Sequence, residues 1–262
     1  MSIGSIAVVH LVWAPLGCGE LERFLAACAA HPPGREYRLV VVANGFSGPS
    51  DPRMAATLAA LEGVEHELLA TPSPVLDLAA YRHASELVDA DLLCFVNSYS
   101  RPLADGWLSK LAAPLETREA GLTGTGGSLE SAYTAAPIWL RPLRRQFQPF
   151  PNPHLRTNGF MIERELLLDL RWPGLDSKVG AWAFESGRDS ISQQIWHRDL
   201  AVLVVGADGV AYPPPRWRES ATFRAGGQRN LLIADNRTAQ YANADETFRR
   251  RLEQMAWGTA EG

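Results

Sequence analysis

The stretch ADLLCFVNSYSRPLADGWL, residues 90–108, decides the fold class. Residues 92–96 form an unbroken apolar run, too short for a helix and typical of a strand buried on both faces of a sheet. Hydrogen-bonding side chains follow at once in residues 97–100. Because open α/β sheets bind ligands beyond the carboxyl ends of their strands, this stretch predicts a central parallel strand that carries a polar cluster toward a cleft.

Strand and helix patterns alternate on both sides of this stretch. Apolar runs predict strands at residues 6–13, 38–43, 65–69, 120–125, 158–162 and 201–205. Helical periodicity predicts helices at residues 20–30, 53–61, 76–88, 107–115, 163–170, 190–197 and 244–257. Such alternation indicates βαβ crossovers, so we expect an α/β fold with a mostly parallel central sheet flanked by helices.

Composition and charge exclude several classes of protein. The chain has 262 residues, 46% of them hydrophobic, and its net charge of -4 disfavours a broad nucleic-acid surface. Cys18, Cys28 and Cys94 show no CxxC spacing, which fits a reducing compartment. Since no apolar run approaches the ~20 residues of a membrane span, we expect a cytoplasmic protein without a transmembrane segment; peripheral attachment to the inner face of a membrane stays open.

Several segments together suggest a family. They are IAVVHLVWAPLGCGELERFLAAC (6–28), VVVANGF (40–46), VLDLAAYRHASELVDADLLCFVNSYSRPLADGWL (75–108), TNGFMIERELLLDL (157–170) and AFESGRDSISQQIWHRDL (183–200). In this order they resemble the GT-A glycosyltransferases, close to family 2, and NPHLRTNGFMI (152–162) resembles bacterial proteins related to rhamnan-synthesis glycosyltransferases. The resemblance implies a GT-A catalytic domain over residues 1–212, with residues 213–262 as a C-terminal lid and helical arm packed on it.

The chain departs from this family at its DxD motif, where two carboxylates usually hold a divalent metal. Asn97, Ser98 and Tyr99 stand at that position, and neutral oxygens are poor ligands for Mg²⁺ or Mn²⁺ without carboxylates beside them. We therefore expect no cofactor, although a divalent metal stays open. Arginine would then hold the donor diphosphate, because its planar fork meets phosphate oxygens in pairs. Candidates are Arg101, Arg156, Arg218, Arg224 and Arg237.

Glu185 is the candidate general base, since an inverting transfer needs a carboxylate to take the proton of the acceptor hydroxyl. Asp189 is the second candidate. The alternative is that either residue caps a helix beginning near Ser190.

The resemblance implies that Asn44 and Asp77 contact the nucleobase and ribose of the donor, alongside Asn97, Ser98 and Tyr99. The alternatives are a turn residue at Asn44 and a helix N-terminal charge at Asp77. Arg82 lies on the same helix face as Asp77, where it would bind the diphosphate or form an ion pair with Asp77.

The predicted acceptor side contains Ser128, Glu130, His154, Arg156 and Asn158. The GTGGS stretch at residues 124–128 lacks the third glycine of a dinucleotide fingerprint and falls late in the sheet, so we read it as a pocket wall. His154 is alternatively a packing or surface residue.

The C-terminal segment 213–243 is too polar to predict a core. Trp217 and Phe223 stand among amides and arginines, as in a lid that covers a sugar, and a dimer contact is the alternative. In the last predicted helix, Phe248, Leu252 and Met255 form a stripe that would dock on the body.

The sequence thus predicts a hexosyltransferase-type glycosyltransferase that moves a sugar from a nucleotide-sugar to a saccharide or lipid-linked saccharide, with inversion, without a metal, and for a bacterial surface polysaccharide. The alternative is a non-catalytic GT-A-like module that binds a saccharide or a partner. A homodimer stays open. A serine hydrolase is disfavoured because the sequence has no GxSxG motif.

Overall fold

The computed structural model describes residues 4–117, 119–135 and 141–259. An eight-stranded sheet forms the centre of the molecule. Its strands are β1 (Ile6–Trp13), β2 (Arg38–Asn44), β3 (His66–Ala70), β4 (Leu92–Val96), β6 (Ala120–Gly124), β9 (Gly159–Glu163), β10 (Ala201–Val205) and β11 (Ala211–Tyr212). They are arranged in the order β11-β10-β6-β9-β4-β1-β2-β3. Short pairs add β5 (Arg101–Pro102) with β12 (Ile233–Ala234), and β7 (Gly127–Ser128) with β8 (His154–Leu155).

The helices of the described ranges cover both faces of this sheet. They are α1 (Gly19–Ala30), α2 (Pro52–Ala60), α3 (Asp77–Leu87), α4 (Trp107–Ala112), α5 (Ala132–Ala135), α6 (Arg141–Gln146), α7 (Arg164–Leu168), α8 (Lys178–Ser186), α9 (Ile191–Trp196), α10 (Asn236–Ala242) and α11 (Glu246–Trp257). The predicted α/β class, with a large and mostly parallel sheet between helices, is confirmed. Of these helices, none has the length and apolar character needed to cross a bilayer.

Strand β4 lies inside the sheet, as its apolar run predicts. It pairs in parallel with β1 and antiparallel with β9. Leu93 and Phe95 belong to the core on one face, and Cys94 and Val96 to the core on the other. Because both faces are covered by helices, the run contains no polar residue.

The structure corrects two expectations for the C-terminal segment. Trp217 is 0% and Phe223 2% exposed, so both belong to the core and neither forms a lid over a sugar. In α11, Leu252 is buried as predicted, but Phe248 and Met255 are exposed, and Ala256 and Trp257 complete the docked face.

Candidate functional site

A cavity of about 350 Å³ opens beyond the carboxyl end of β4, where the start of α3, the β8–β9 connection, α8 and the start of α10 meet. We call it the Glu185 cavity. Its volume lies in the range of ordinary ligand pockets. It is lined by Leu76, Asp77, Leu78, Asn97, Tyr99, Arg156, Thr157, Asn158, Lys178, Ala181, Trp182, Glu185, Asn236 and Arg237.

The tip of β4 is held in place by a hydrogen-bonded turn. The side-chain oxygen of Asn97 accepts a bond from the backbone N–H of Tyr99 at 2.9 Å. The hydroxyl of Ser100 lies 3.1 Å from that oxygen and 3.1 Å from the carbonyl of Asn158, which precedes β9. Asn97, Tyr99 and Asn158 line the cavity, as their predicted substrate-binding roles require, whereas Ser98 is buried and does not.

Glu185 lies near the end of α8 and is held by the β8–β9 connection. Its Oε2 accepts hydrogen bonds from the backbone N–H of Thr157 at 3.0 Å and from the Thr157 hydroxyl at 2.5 Å. Its Oε1 lies 3.3 Å from a guanidinium nitrogen of Arg156. Burial raises the pKa of Glu185, but Arg156, His154 and Thr157 lower it by more, so its pKa lies below the usual value. The carboxyl is therefore ionised at neutral pH.

Asp77, in the first turn of α3, supplies a second carboxylate to the cavity wall. Burial raises its pKa, and the negative charge of Glu185 raises it further. Two carboxyl groups whose surroundings move their pKa values in opposite directions are characteristic of functional sites.

Three cationic side chains line the same cavity. Arg156 is paired with Glu185, and its guanidinium also packs on the ring of Phe223, 4.9 Å from the ring centroid. Lys178 and Arg237 are exposed and form no side-chain hydrogen bond or ion pair within residues 4–117, 119–135 and 141–259. The wall therefore offers two free positive charges to a ligand.

A second cavity, of about 780 Å³, adjoins the first, and Leu76 lines both. We call it the Arg82 cavity. Trp13, Val75, Arg82, His83 and Asp176 are among its lining residues. Arg82 pairs with Glu86 at 3.2 Å, so the alternative of an ion pair with Asp77 is wrong.

Asn44 is buried and reaches neither cavity. Its amide donates to the carbonyl of Val75 at 2.8 Å and accepts from the Val75 N–H and the Thr71 hydroxyl, each at 3.0 Å. These bonds fasten the end of β2 to the loop before α3. In this arrangement Asn44 does not make the predicted contact with the nucleotide-sugar.

Three predicted arginines lie outside the Glu185 cavity. Arg101 pairs with Glu20 at 2.8 Å, joining β5 to α1. Arg224 is 5% exposed and lies 3.8 Å from Glu130. Arg224, predicted to bind the nucleotide-sugar, thus pairs with Glu130, predicted to bind the acceptor saccharide. Arg218 is exposed and lines neither cavity.

The other predicted residues also have protein partners. Asp189 makes a two-bond ion pair with Arg171, at 2.7 and 3.0 Å, and does not line the cavity with Glu185. His154 and Ser128 are buried on paired strands. Burial lowers the pKa of His154, whose Nδ1 lies 2.8 Å from the carbonyl oxygen of Asn152.

Sequence reasoning missed the helix that forms one wall. Residues 178–186 form α8, a helix that is not among those predicted from the helical periodicity. Lys178, Ala181, Trp182 and Glu185 are spaced i, i+3, i+4 and i+7, which is the spacing of one helix face. That spacing was the available signal for Lys178 and Trp182.

The described residues do not by themselves form a metal site. They contain no group of three His, Cys, Asp or Glu residues that could hold an ion. At the tip of β4, Asn97 offers an oxygen that already accepts two hydrogen bonds, and Tyr99 offers a phenol. This donor set does not fit a carboxylate-held divalent ion.

The fold and the cavity together define an α/β protein with a charged ligand pocket at the carboxyl end of its central strand. No model of a known protein family matches the sequence. No curated protein matches it either.

Among solved structures the chain is similar to several glycosyltransferases. A mannosyltransferase from Pyrobaculum calidifontis in complex with GDP-Man and Mn²⁺ has 13% identity and a TM-score of 0.49, over 87% of this chain and 63% of that one. GalNAc-T7 with UDP, GalNAc and Mn²⁺ has 14% identity and a TM-score of 0.47, over 70% and 40%. Glucosyl-3-phosphoglycerate synthase from Mycobacterium tuberculosis, with Mn²⁺, UDP and glucosyl-3-phosphoglycerate, has 16% identity and a TM-score of 0.43, over 69% and 65%.

This chain thus spans less than two thirds of the length of each of these three proteins. All three were solved with Mn²⁺, which contradicts the prediction of an enzyme without a metal cofactor. That prediction is withdrawn.

Proposed function

We propose that this chain is a GT-A-type glycosyltransferase that moves a sugar, with inversion, from a nucleotide-sugar donor to a hydroxyl group of an acceptor in bacterial surface polysaccharide synthesis. The observation that carries the proposal is Glu185, an ionised carboxylate on the wall of a ligand-sized cavity beside the tip of β4. A cytoplasmic location, a lipid-linked acceptor and a homodimer stay predictions from the sequence.

The two adjoining cavities suit the two parts of such a donor. The Arg82 cavity presents the aromatic side chain of Trp13 together with polar groups of Arg82 and His83, a combination that suits a nucleoside. The Glu185 cavity presents Arg237, whose free charge suits the phosphate oxygens of the donor. The donor would then lie across Leu76, with its sugar near Glu185.

Transfer would proceed by direct displacement. The acceptor oxygen attacks the anomeric carbon while the bond from that carbon to the diphosphate breaks, and the hydroxyl proton passes to Glu185. The diphosphate leaves with the electron pair of the broken bond, and nearby guanidinium groups stabilise its charge. Oε2 of Glu185 accepts two hydrogen bonds from Thr157, whereas Oε1 has the 3.3 Å ion pair with Arg156 as its contact, so the proton would go to Oε1.

Glu185→Gln tests the proposal, with Glu62→Gln as the matched control because Glu62 is exposed and lines neither cavity. We expect Glu185→Gln to lower kcat by about 10²- to 10⁴-fold, the usual contribution of a general base, and to leave donor binding within a few fold. The measurement is release of nucleoside diphosphate from UDP-glucose, GDP-mannose and UDP-GalNAc with Mn²⁺ present, with water, cellobiose or cellobiouronic acid as acceptor. Equal kcat for both variants would overturn the role of Glu185.

The second candidate function is a saccharide-binding module without catalysis. It is favoured by Asn97-Ser98-Tyr99 at the tip of β4 and by the absence of a metal-holding group among the described residues. A protein that binds a saccharide but turns over none of these donors would support the module and contradict the transferase.

A further inference from the structure

The geometry of α8 points to an acidic saccharide as the acceptor, and we propose that its sugar ring stacks on Trp182 while its carboxylate or phosphate group binds Lys178. This inference rests on the proposed function, because it names the class of acceptor that Glu185 would deprotonate.

One face of α8 carries the whole arrangement. Lys178, Ala181, Trp182 and Glu185 line the cavity at i, i+3, i+4 and i+7. At a rise of 1.5 Å per residue, Lys178 lies about 10 Å along the helix axis from Glu185, with Trp182 between them. If the reacting hydroxyl of an acceptor lies at Glu185, the part of the acceptor next to it therefore lies beside Trp182, and a more distant group lies beside Lys178.

Trp182 is an exposed aromatic side chain in a polar cavity. Trp182 is 52% exposed, whereas the nearby Phe184 is fully buried and stacks on Trp172. No ring or guanidinium of the described residues packs on Trp182. Leaving a large apolar ring in solvent costs free energy, and a sugar offers an apolar ring face that would cover it while its hydroxyls stay hydrated. Ala181, whose side chain is a single methyl group, lines the same cavity.

Lys178 is a cation that no group in the described part of the chain neutralises. It is exposed and forms no ion pair in the described part of the chain, and Asp176, two residues earlier, lines the Arg82 cavity and does not pair with it. Lys178 is also the first residue of α8, where the helix dipole disfavours a positive charge. Its charge therefore does not stabilise the helix, and it is available to an anionic group on the ligand.

Paired probes test this assignment without knowledge of the natural acceptor. Cellobiouronic acid and cellobiose share their rings and differ in one carboxylate, and glucose 6-phosphate and glucose provide the same comparison for a phosphate. Binding of each probe to the full chain is measured by calorimetric or NMR titration. We expect the acidic member of at least one pair to bind more tightly, and increased NaCl to weaken only that member.

Two variants separate the ring from the charge. Trp182→Ala is expected to weaken both members of the bound pair by about fivefold to tenfold, the scale of an aromatic stacking contact. Lys178→Gln is expected to weaken only the acidic member, by roughly twofold to fivefold, the scale of an exposed ion pair. Phe248→Ala and Arg250→Gln are matched controls, because both residues are exposed on α11 and line neither cavity.

The outcomes distinguish this inference from the proposed function. Equal binding of acidic and neutral probes, or acid binding that survives both Trp182→Ala and Lys178→Gln, overturns the inference while Glu185-dependent donor turnover still supports transfer. Loss of donor hydrolysis in Lys178→Gln with water as acceptor would assign Lys178 to the donor and also overturn it. Acid-selective binding that needs both residues, in a chain that turns over no donor, supports the acidic ligand and contradicts the transferase.

Discussion

Arg156 and Glu185 lie 3.3 Å apart on the cavity wall, with side chains only 18% and 16% exposed. Without Arg156, His154 and Thr157, burial would favour the protonated acid, so these three residues keep Glu185 ionised. Since its pKa is lowered in the folded protein, the stability gained from this group is fully present above the usual value and is lost as the pH falls through the lowered one. The ion pair therefore contributes to protein stability and also keeps Glu185 in the ionised form that can accept a proton.

Arg156→Met should raise the pKa of Glu185, because it removes the nearest positive charge while keeping a side chain against Phe223. We expect the acid limb of kcat/KM to move to higher pH, measured between about pH 4 and 8. Removing one partner of a buried pair should also cost about 3 to 5 kcal/mol of unfolding free energy, measured with urea.

Arg250→Met is the control, because the Arg250–Glu246 pair is exposed. It should change stability by less than about 1 kcal/mol and leave the pH profile unchanged. An acid limb that stays in place in Arg156→Met would contradict the assignment of Glu185 as the titrating base.

Helix α8 is the element that forms the site, and two features set its start. The side chain of Ser177 accepts a hydrogen bond from the N–H of Gly180 at 3.1 Å and so caps the helix. Gly180 also lies so close to the carbonyl of Gly174 that a Cβ built on it would be 1.6 Å from that oxygen. The position of α8, and with it the spacing of Trp182 and Glu185, therefore depends on a residue without a side chain.

Gly180→Ala should displace the start of α8, because the clash is with backbone and no flexible side chain can move away. We expect a loss of about 1 to 3 kcal/mol in stability, as in other overpacked sites, and weaker binding of the saccharide probes. Gly19→Ala is the matched control: Gly19 is also helical, a Cβ there would contact nothing within 4 Å, and alanine favours helix. Equal stability and probe binding in the two variants would show that the Gly174 contact does not position α8.

At the scale of the molecule, the C-terminal segment is joined to the sheet domain at several points. β12 pairs antiparallel with β5, and the carbonyl of Ala256 accepts from the N–H of Leu129 at 2.8 Å. The indole N–H of Trp257 donates to the carbonyls of Phe223 at 3.0 Å and Arg224 at 3.1 Å, and its ring lies in the main core. We propose that residues 213–259 unfold together with the sheet and do not act as a movable lid.

Trp257→Ala should therefore lower the stability of the whole chain, by about 3 to 5 kcal/mol, the usual cost of emptying a large core position. Urea unfolding followed by far-ultraviolet circular dichroism and by tryptophan fluorescence should give one coincident transition, shifted to lower urea. A separate early transition by fluorescence alone would show that the C-terminal segment unfolds by itself. Met255→Ala, on the exposed face of the same helix, should change stability by less than about 1 kcal/mol.

Local sequence patterns alone determined the fold class and seven of the eight strands of the central sheet, all except β11. An unbroken apolar run such as residues 92–96 predicts a strand with a layer of helices on each face of its sheet. The polar residues 97–100 mark the end of that strand without reference to its neighbours in the fold. The core position of Trp217 and Phe223 in segment 213–243 is not visible in the sequence, because these aromatics are separated by polar residues. Some of those polar residues have partners outside the segment: the Asn230 side-chain oxygen accepts from the N–H of Asp208.

Only the tertiary structure decided which polar groups meet. Asn44 and Asn97 both end central strands, yet one amide is used entirely within the protein and the other lines the cavity. Glu185 and Arg156 lie on different elements, and nothing local pairs them. The physical reason is that burial and apolar periodicity act within a few residues, whereas hydrogen-bond partners and charge pairs depend on how distant segments pack against one another.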